Sequence, residues 1–290
     1  MLRSTPIDGF SLGYERAGSG PPVVLLHGWP GMRTDYRALV PLVSGETEVV
    51  VPDLRGFGDS DKHAVEPGTG YSAAAQARSV VGLIEELALA PVVLAGYDIG
   101  SRIAQAVARV APERVAALVL APPLPGAGDR VLAPDAQREY WYQPFHRLEI
   151  SDQLLDGDPD AIRTYLRHFW SHWSGPAFEL PEADLDRLVD RYAMPGAFAA
   201  SIGWYRAGSG TVATSLAERQ PPAAERIAHP TRVLWPEHDP LFPPAWGDRL
   251  GAWFANVTVT PLADAGHFSP LEAPEAFAAA IVELARGRTS

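Results

Sequence analysis

The chain has 290 residues, 47% of them hydrophobic, no cysteine and a formal net charge of −11 at neutral pH. This length allows one large core or a core carrying a smaller insertion, and the lack of cysteine excludes disulfides and thiolate metal sites. The acidic balance makes nucleic acid and anionic membranes poor partners, no window reaches the apolar length of a membrane span, and MLRSTPIDGF at the start carries no apolar signal-like run, so a cytoplasmic location is expected.

In chain order, PPVVLLHG (21–28), TEVVVPD (47–53), VVLAGY (92–97) and VAALVLAPP (115–123) are short, continuously apolar, β-branched runs. Such runs are expected of strands buried on both faces. Between them, DYRALVPLV, AAAQARSVVGLIEELAL and the Ala-rich stretch after Asp98 have helical periodicity. The alternation predicts a mainly parallel α/β sheet. It then stops: REYWYQPFHRLEI, AIRTYLRHFWSHW and AFAASIGWYRA are aromatic, helix-like and punctuated by proline. PTRVLWPEHD and NVTVTPL resume the strand pattern, and PEAFAAAIVELARG closes with a helix. The expected organisation is a core over 1–124, a helical insertion over 125–228, and a second core segment over 229–290.

VVLAGYDIGSRIAQAVA (92–108) reads as strand, tight turn and helix, with Asp98 between Gly96 and Gly100. Such an elbow lifts one side chain to an exposed tip and aims a helix N-terminus at it. A glycine-rich turn with an aspartate opening a helix is also a common structural device. Two further residues add weight, because Asp239 in LWPEHDPLF and His267 in ADAGHFSP each stand just past a predicted strand. Nucleophile, acid and histidine in that order match the catalytic order of one hydrolase fold. LLHGWPG after the first strand adds a candidate oxyanion hole, with the Trp29 and Ile99 N–H groups converging on one oxygen.

Taken together, HGWP, DLRGFGDSD (53–61), GYDIG, the Asp239 and His267 loops and the position of the insertion resemble the α/β-hydrolases of the epoxide hydrolase and haloalkane/haloacetate dehalogenase branch, and soluble epoxide hydrolases most of all. The resemblance covers nearly the whole chain. It implies an α/β-hydrolase fold with a helical cap, no cofactor or metal, and a cis Trp29–Pro30 bond. It also implies that Tyr142 of the YQ element and Tyr205 of the WYR element hold an epoxide oxygen. His27, Pro30, Trp141 and Phe268 are expected around the substrate. Tyr140, Trp141, Trp170 and Trp173 read first as aromatics that pack the cap on the core.

An aspartate nucleophile has a chemical consequence. A carboxylate is ionised at neutral pH and attacks saturated carbon without a base, leaving an ester that water can cleave through an oxyanion. A serine would leave an inert ether. His267 is expected to activate that water at an ordinary imidazole pKa near 6.5, with Asp239 orienting it. The substrate expected is a small apolar epoxide opened to a vicinal diol. The alternative is a hydrolytic dehalogenase, for haloalkanes or haloacids, using the same Asp98. Dehalogenases of this branch carry Trp or Arg after the nucleophile and many epoxide hydrolases carry Trp there, so Ile99 departs from both patterns, and Arg102 matches a second arginine of the haloacid enzymes. A non-catalytic ligand receptor on this fold is disfavoured, because binding alone needs neither acid nor base. Monomer and homodimer are equally open.

Overall fold

A computed structural model describes residues 1–89 and 91–287; positions 288–290 of the second core segment lie outside the described residues. Its centre is an eight-stranded sheet in the order β1-β2-β4-β3-β5-β6-β7-β8. The strands are β1 (Leu2–Arg3), β2 (Gly13–Gly18), β3 (Pro22–Leu26), β4 (Glu48–Pro52), β5 (Val92–Gly96), β6 (Val115–Leu120), β7 (Thr231–Pro236) and β8 (Val257–Leu262). All pairings from β4 to β8 are parallel, whereas β1 and β2 pair antiparallel on one edge. The apolar runs of β3 to β6 are buried because helices cover both faces of the sheet. β1 and β2 were not expected. GYERAG buries only Gly13 and Tyr14 and is held by backbone pairing to β4, so its side chains carry little strand signal. β8 at the opposite edge is mostly exposed, which explains its threonines.

The helix Ile99–Val110 buries Ile99, Ile103, Ala104, Val107 and Ala108, a stripe of helical period laid on the sheet. It approaches β3 so closely that a Cβ on Gly100 would sit 2.0 Å from the Leu26 carbonyl oxygen, and one on Gly96 would sit 2.6 Å from the Gly100 carbonyl carbon. No side chain fits at either position. Among the described residues, no strand lies between β6 and β7: the segment is helices joined by turns and loops, with one isolated bridge at Ile227. The longest of these helices, Pro159–Trp173, is capped by Asp158 and turns Ile162, Leu166, Phe169, Trp170 and Trp173 inward. The helical segment is tied to the core loops by Trp170 Nε1 donating to the Pro30 carbonyl (3.0 Å), the Tyr192 hydroxyl to the Gly31 carbonyl (2.9 Å) and the Tyr140 hydroxyl to the Leu241 carbonyl (2.6 Å).

Parallel strands share one carboxyl edge. The loops after β3, β5, β7 and β8 therefore meet on one side of the sheet, beneath the helical segment. Ligand sites of open α/β sheets form on that side.

Candidate active site

Asp98 stands between the end of β5 and the first helical residue, with φ 48° and ψ −129°. Left-handed φ is costly for a residue with a Cβ. Here the conformation is held by the Asp98 N–H donating to the Pro122 carbonyl (2.9 Å) and by the crowded glycines on either side. Its Oδ1 accepts the Trp29 N–H at 2.7 Å. The Ile99 N–H, at the first position of the following helix, has no intrahelical acceptor. Trp29–Pro30 is cis.

His267 lies on the other side of the carboxylate. Its Nε2 is 3.4 Å from Asp98 Oδ2, and its Nδ1–H donates to Asp239 Oδ2 at 2.9 Å. Asp239 is fixed in turn by the Leu241 N–H on Oδ1 (2.9 Å). All three side chains are buried. Burial opposes a charge on His267, but the Asp239 and Asp98 carboxylates outweigh it and raise the imidazole to about 10. The ordinary value near 6.5 expected from sequence therefore does not apply to the resting site: two carboxylates brought to one imidazole hold its proton.

Tyr142 and Tyr205 come together over this centre, with ring centroids 5.5 Å apart and perpendicular, and the Tyr142 ring stacks on the Trp29 indole. Their hydroxyls interact with each other. Gln143 Nε2–H donates to the Tyr142 oxygen at 3.2 Å while its Oε1 accepts the Val212 N–H. Burial raises both phenols above their usual range, and the Asp98 charge adds to this. A cleft of about 280 Å³, lined in part by Tyr140, Gln143, Tyr205, Val212 and Leu216, reaches Tyr205 from the surface.

Two residues expected to surround the substrate lie elsewhere. His27 is fully buried with both ring nitrogens occupied, Nδ1–H donating to its neighbour's Gly28 carbonyl (2.8 Å) and Nε2 accepting the Leu54 N–H (3.0 Å). It braces the loop after β3. Trp141 is 40% exposed and stacks on the outer side of Phe169, because one helical step separates it from the inward Tyr142. Pro30 and Phe268 are buried beside the site and both meet Trp170, Phe268 by ring stacking at 3.5 Å. Arg102 does not face Asp98 with a free charge. Its guanidinium pairs with Glu218 at 2.5 Å and donates to the Leu124 carbonyl.

Other residues of the site carried no clear sequence signal. Glu272 accepts the N–H groups of Gly266, Phe268 and Gly175 and so clamps the turn bearing His267. Trp173 adds to that clamp, its carbonyl accepting the His267 N–H (2.8 Å). Asp35 is buried under the Trp29 loop, taking the Tyr97 hydroxyl at 2.5 Å and the Met32 N–H at 3.1 Å on one oxygen, and burial raises its carboxyl to about 7. Among the described residues no three His, Cys, Asp or Glu side chains are grouped to hold a metal ion.

This elbow, its histidine and acid, and the sheet beneath them define an α/β hydrolase. The family model for the alpha/beta hydrolase fold matches residues 21–274, and the chain belongs to that family. Within it, the chain is 30% identical over 280 residues to the soluble epoxide hydrolase of Corynebacterium sp. (strain C12), covering 93% of this chain and 91% of that one. It is also 30% identical over 203 residues to a fluoroacetate dehalogenase of Burkholderia sp., covering 67% and 64%. The solved structure of the epoxide hydrolase CorEH without ligand superposes with a TM-score of 0.81 at 26% identity, covering 98% and 97%. The protein is thus an epoxide hydrolase-like α/β hydrolase with dehalogenases among its relatives.

Proposed function

We propose that this protein hydrolyses epoxides to vicinal diols through an ester on Asp98, with the helical segment serving as cap. The observation that carries the reading is the pair of buried phenols, Tyr142 and Tyr205, in contact with each other above a carboxylate nucleophile. An opening epoxide needs an O–H donor for its alkoxide, and a departing halide does not. The dehalogenase reading has less support, since a haloacid needs a cation near the nucleophile and Arg102 is committed to Glu218.

The chemistry runs in two halves. With Oδ1 held by the Trp29 N–H, the other oxygen, Oδ2, which faces His267 Nε2 at 3.4 Å, attacks an epoxide carbon. The C–O bond to Asp98 forms as the ring C–O bond breaks, and the alkoxide takes a proton from the tyrosine pair. Esterification removes the Asp98 charge, so one of the two carboxylates that hold the His267 proton disappears. The imidazole gives that proton up to restore the tyrosine. Neutral His267 then takes a proton from water, hydroxide adds to the Asp98 ester carbon, and the oxyanion on Oδ1 rests on the Trp29 and Ile99 N–H groups. Collapse breaks the ester C–O bond, the leaving alkoxide takes the proton of the added hydroxyl by way of His267, and the diol departs with Asp98 again a carboxylate and His267 again protonated.

The test offers purified protein styrene oxide and, separately, fluoroacetate and chloroacetate, measuring diol and free halide. Diol without halide is expected. One turnover in heavy-oxygen water should place the label in Asp98 and not in the diol. Label in the first-formed diol refutes the ester, and halide release with no diol from any epoxide refutes the function.

A further inference from the structure

We propose that the Trp29 indole and the His146 imidazole form a second contact point for the substrate, one that takes an uncharged oxygen (ether, hydroxyl or carbonyl) on the chain attached to the epoxide. This rests on the epoxide reading above and deepens it, because it names the class of epoxide.

Two buried polar atoms, Trp29 Nε1 and His146 Nδ1, have no hydrogen-bond partner among the described residues. Both side chains are fully buried. A buried donor or acceptor left unpaired is costly, and native proteins keep few of them without a use. The two rings are neighbours, with centroids 4.7 Å apart, and both pack against Tyr142 and Tyr205. They therefore belong to the same aromatic cluster as the tyrosine pair. The Trp29 backbone touches Asp98, so its indole extends from the nucleophile towards His146. Neighbouring polar groups do not satisfy these atoms, since the Tyr142 oxygen is engaged by Gln143 and Tyr205.

The character of the ligand follows from the charges nearby. Burial, with the Arg206 charge behind it, keeps the His146 imidazole neutral. Arg206 itself donates to the His146 carbonyl and pairs with Asp152, leaving no free charge for an ionic group. His146 Nε2 shares a hydrogen bond with the Tyr165 hydroxyl (2.9 Å), which serves as donor or acceptor. Nδ1 can thus accept or donate, according to tautomer, while the indole always donates. One fixed donor beside one adaptable group suits a neutral oxygen and offers nothing to a carboxylate or an ammonium.

The test uses epoxyoctane and a set of isosteres in which an ether oxygen replaces each chain methylene in turn. Wild type should favour one oxygen position by roughly tenfold in kcat/KM over the hydrocarbon. Trp29→Phe and His146→Phe should each remove most of that preference, measured as a ratio within one variant so that general losses cancel. A flat series in wild type overturns the proposal without any variant. Preference retained in both variants overturns it too, and would leave the indole N–H facing an aromatic ring such as Phe169. Binding of the corresponding diols, followed by tryptophan fluorescence, reads the same preference without turnover. If no epoxide is hydrolysed, the proposed function fails, and the diol series still decides for or against the oxygen site.

Discussion

The tyrosine pair gives the sharpest test, because its two members are not equivalent. The Tyr142 oxygen accepts from Gln143 Nε2 and meets the Tyr205 hydroxyl, so the Tyr142 proton is the one left for substrate. In the proposed reaction Tyr205 turns its hydroxyl from Tyr142 to the epoxide oxygen. Losing one pre-organised donor to a developing alkoxide costs on the order of 3 kcal/mol, about a hundredfold in rate. Tyr205→Phe should show that loss with little change in stability. Tyr142→Phe should show it and also strand the buried Gln143 Nε2, costing about 1–3 kcal/mol of stability and lowering Tm by several degrees. The double variant should lose at least about ten-thousandfold, since no O–H then faces the leaving oxygen. Rapid quench with intact-mass detection separates ester formation from ester hydrolysis. The whole defect should fall on formation, so no variant accumulates adduct. A double variant that forms ester at a tenth of the wild-type rate, or one that accumulates it, refutes phenolic assistance.

His267→Gln should still be alkylated and then stall, giving a protein heavier by one substrate mass; an unmodified protein under excess epoxide would place His267 before the ester. Because the resting imidazole is raised to about 10, its resonance should titrate near that pH, and the stability of the charge cluster should be complete below about 6.5 and fade as pH rises towards 10. Hydrolysis of the pre-formed ester should inflect at a lower pH than that titration; a resting His267 that titrates near 6.5 would undo the proton accounting. Asp35, raised to about 7, binds its proton more tightly folded than unfolded, so it stabilises most below about pH 4 and loses this by pH 7. Asp35→Asn keeps an acceptor for Tyr97 and Met32 and should remove up to a few kcal/mol of pH-dependent destabilisation over that interval, read by thermal melts across pH; an unchanged pH dependence would clear the carboxyl.

The six strands β3 to β8 and the order Asp98, Asp239, His267 were legible because each rests on neighbours along the chain. Apolar runs mark the buried strands β3 to β7 and β-branched residues mark the exposed edge strand β8, and a residue placed directly after a strand inherits its position from it. The pairing of Tyr142 with Tyr205 was legible only through resemblance, as 62 residues separate them and no local pattern joins them. The first two strands were missed because GYERAG is held by backbone hydrogen bonds to β4, which leave no mark on side-chain pattern. Trp141 and Tyr142 are adjacent in sequence and equally aromatic. Which of them turns inward was decided by the packing of this segment against the helix Pro159–Trp173, which set Tyr142 against Trp173 and left Trp141 on the surface. Charge followed the same rule. Arg102 and His267 have ordinary chemistry as residues, but Glu218 neutralises one and two carboxylates hold the proton of the other. Partners so distant in the chain meet only when the sheet and the helices above it close, so contact, protonation and accessibility at this site belong to the tertiary structure.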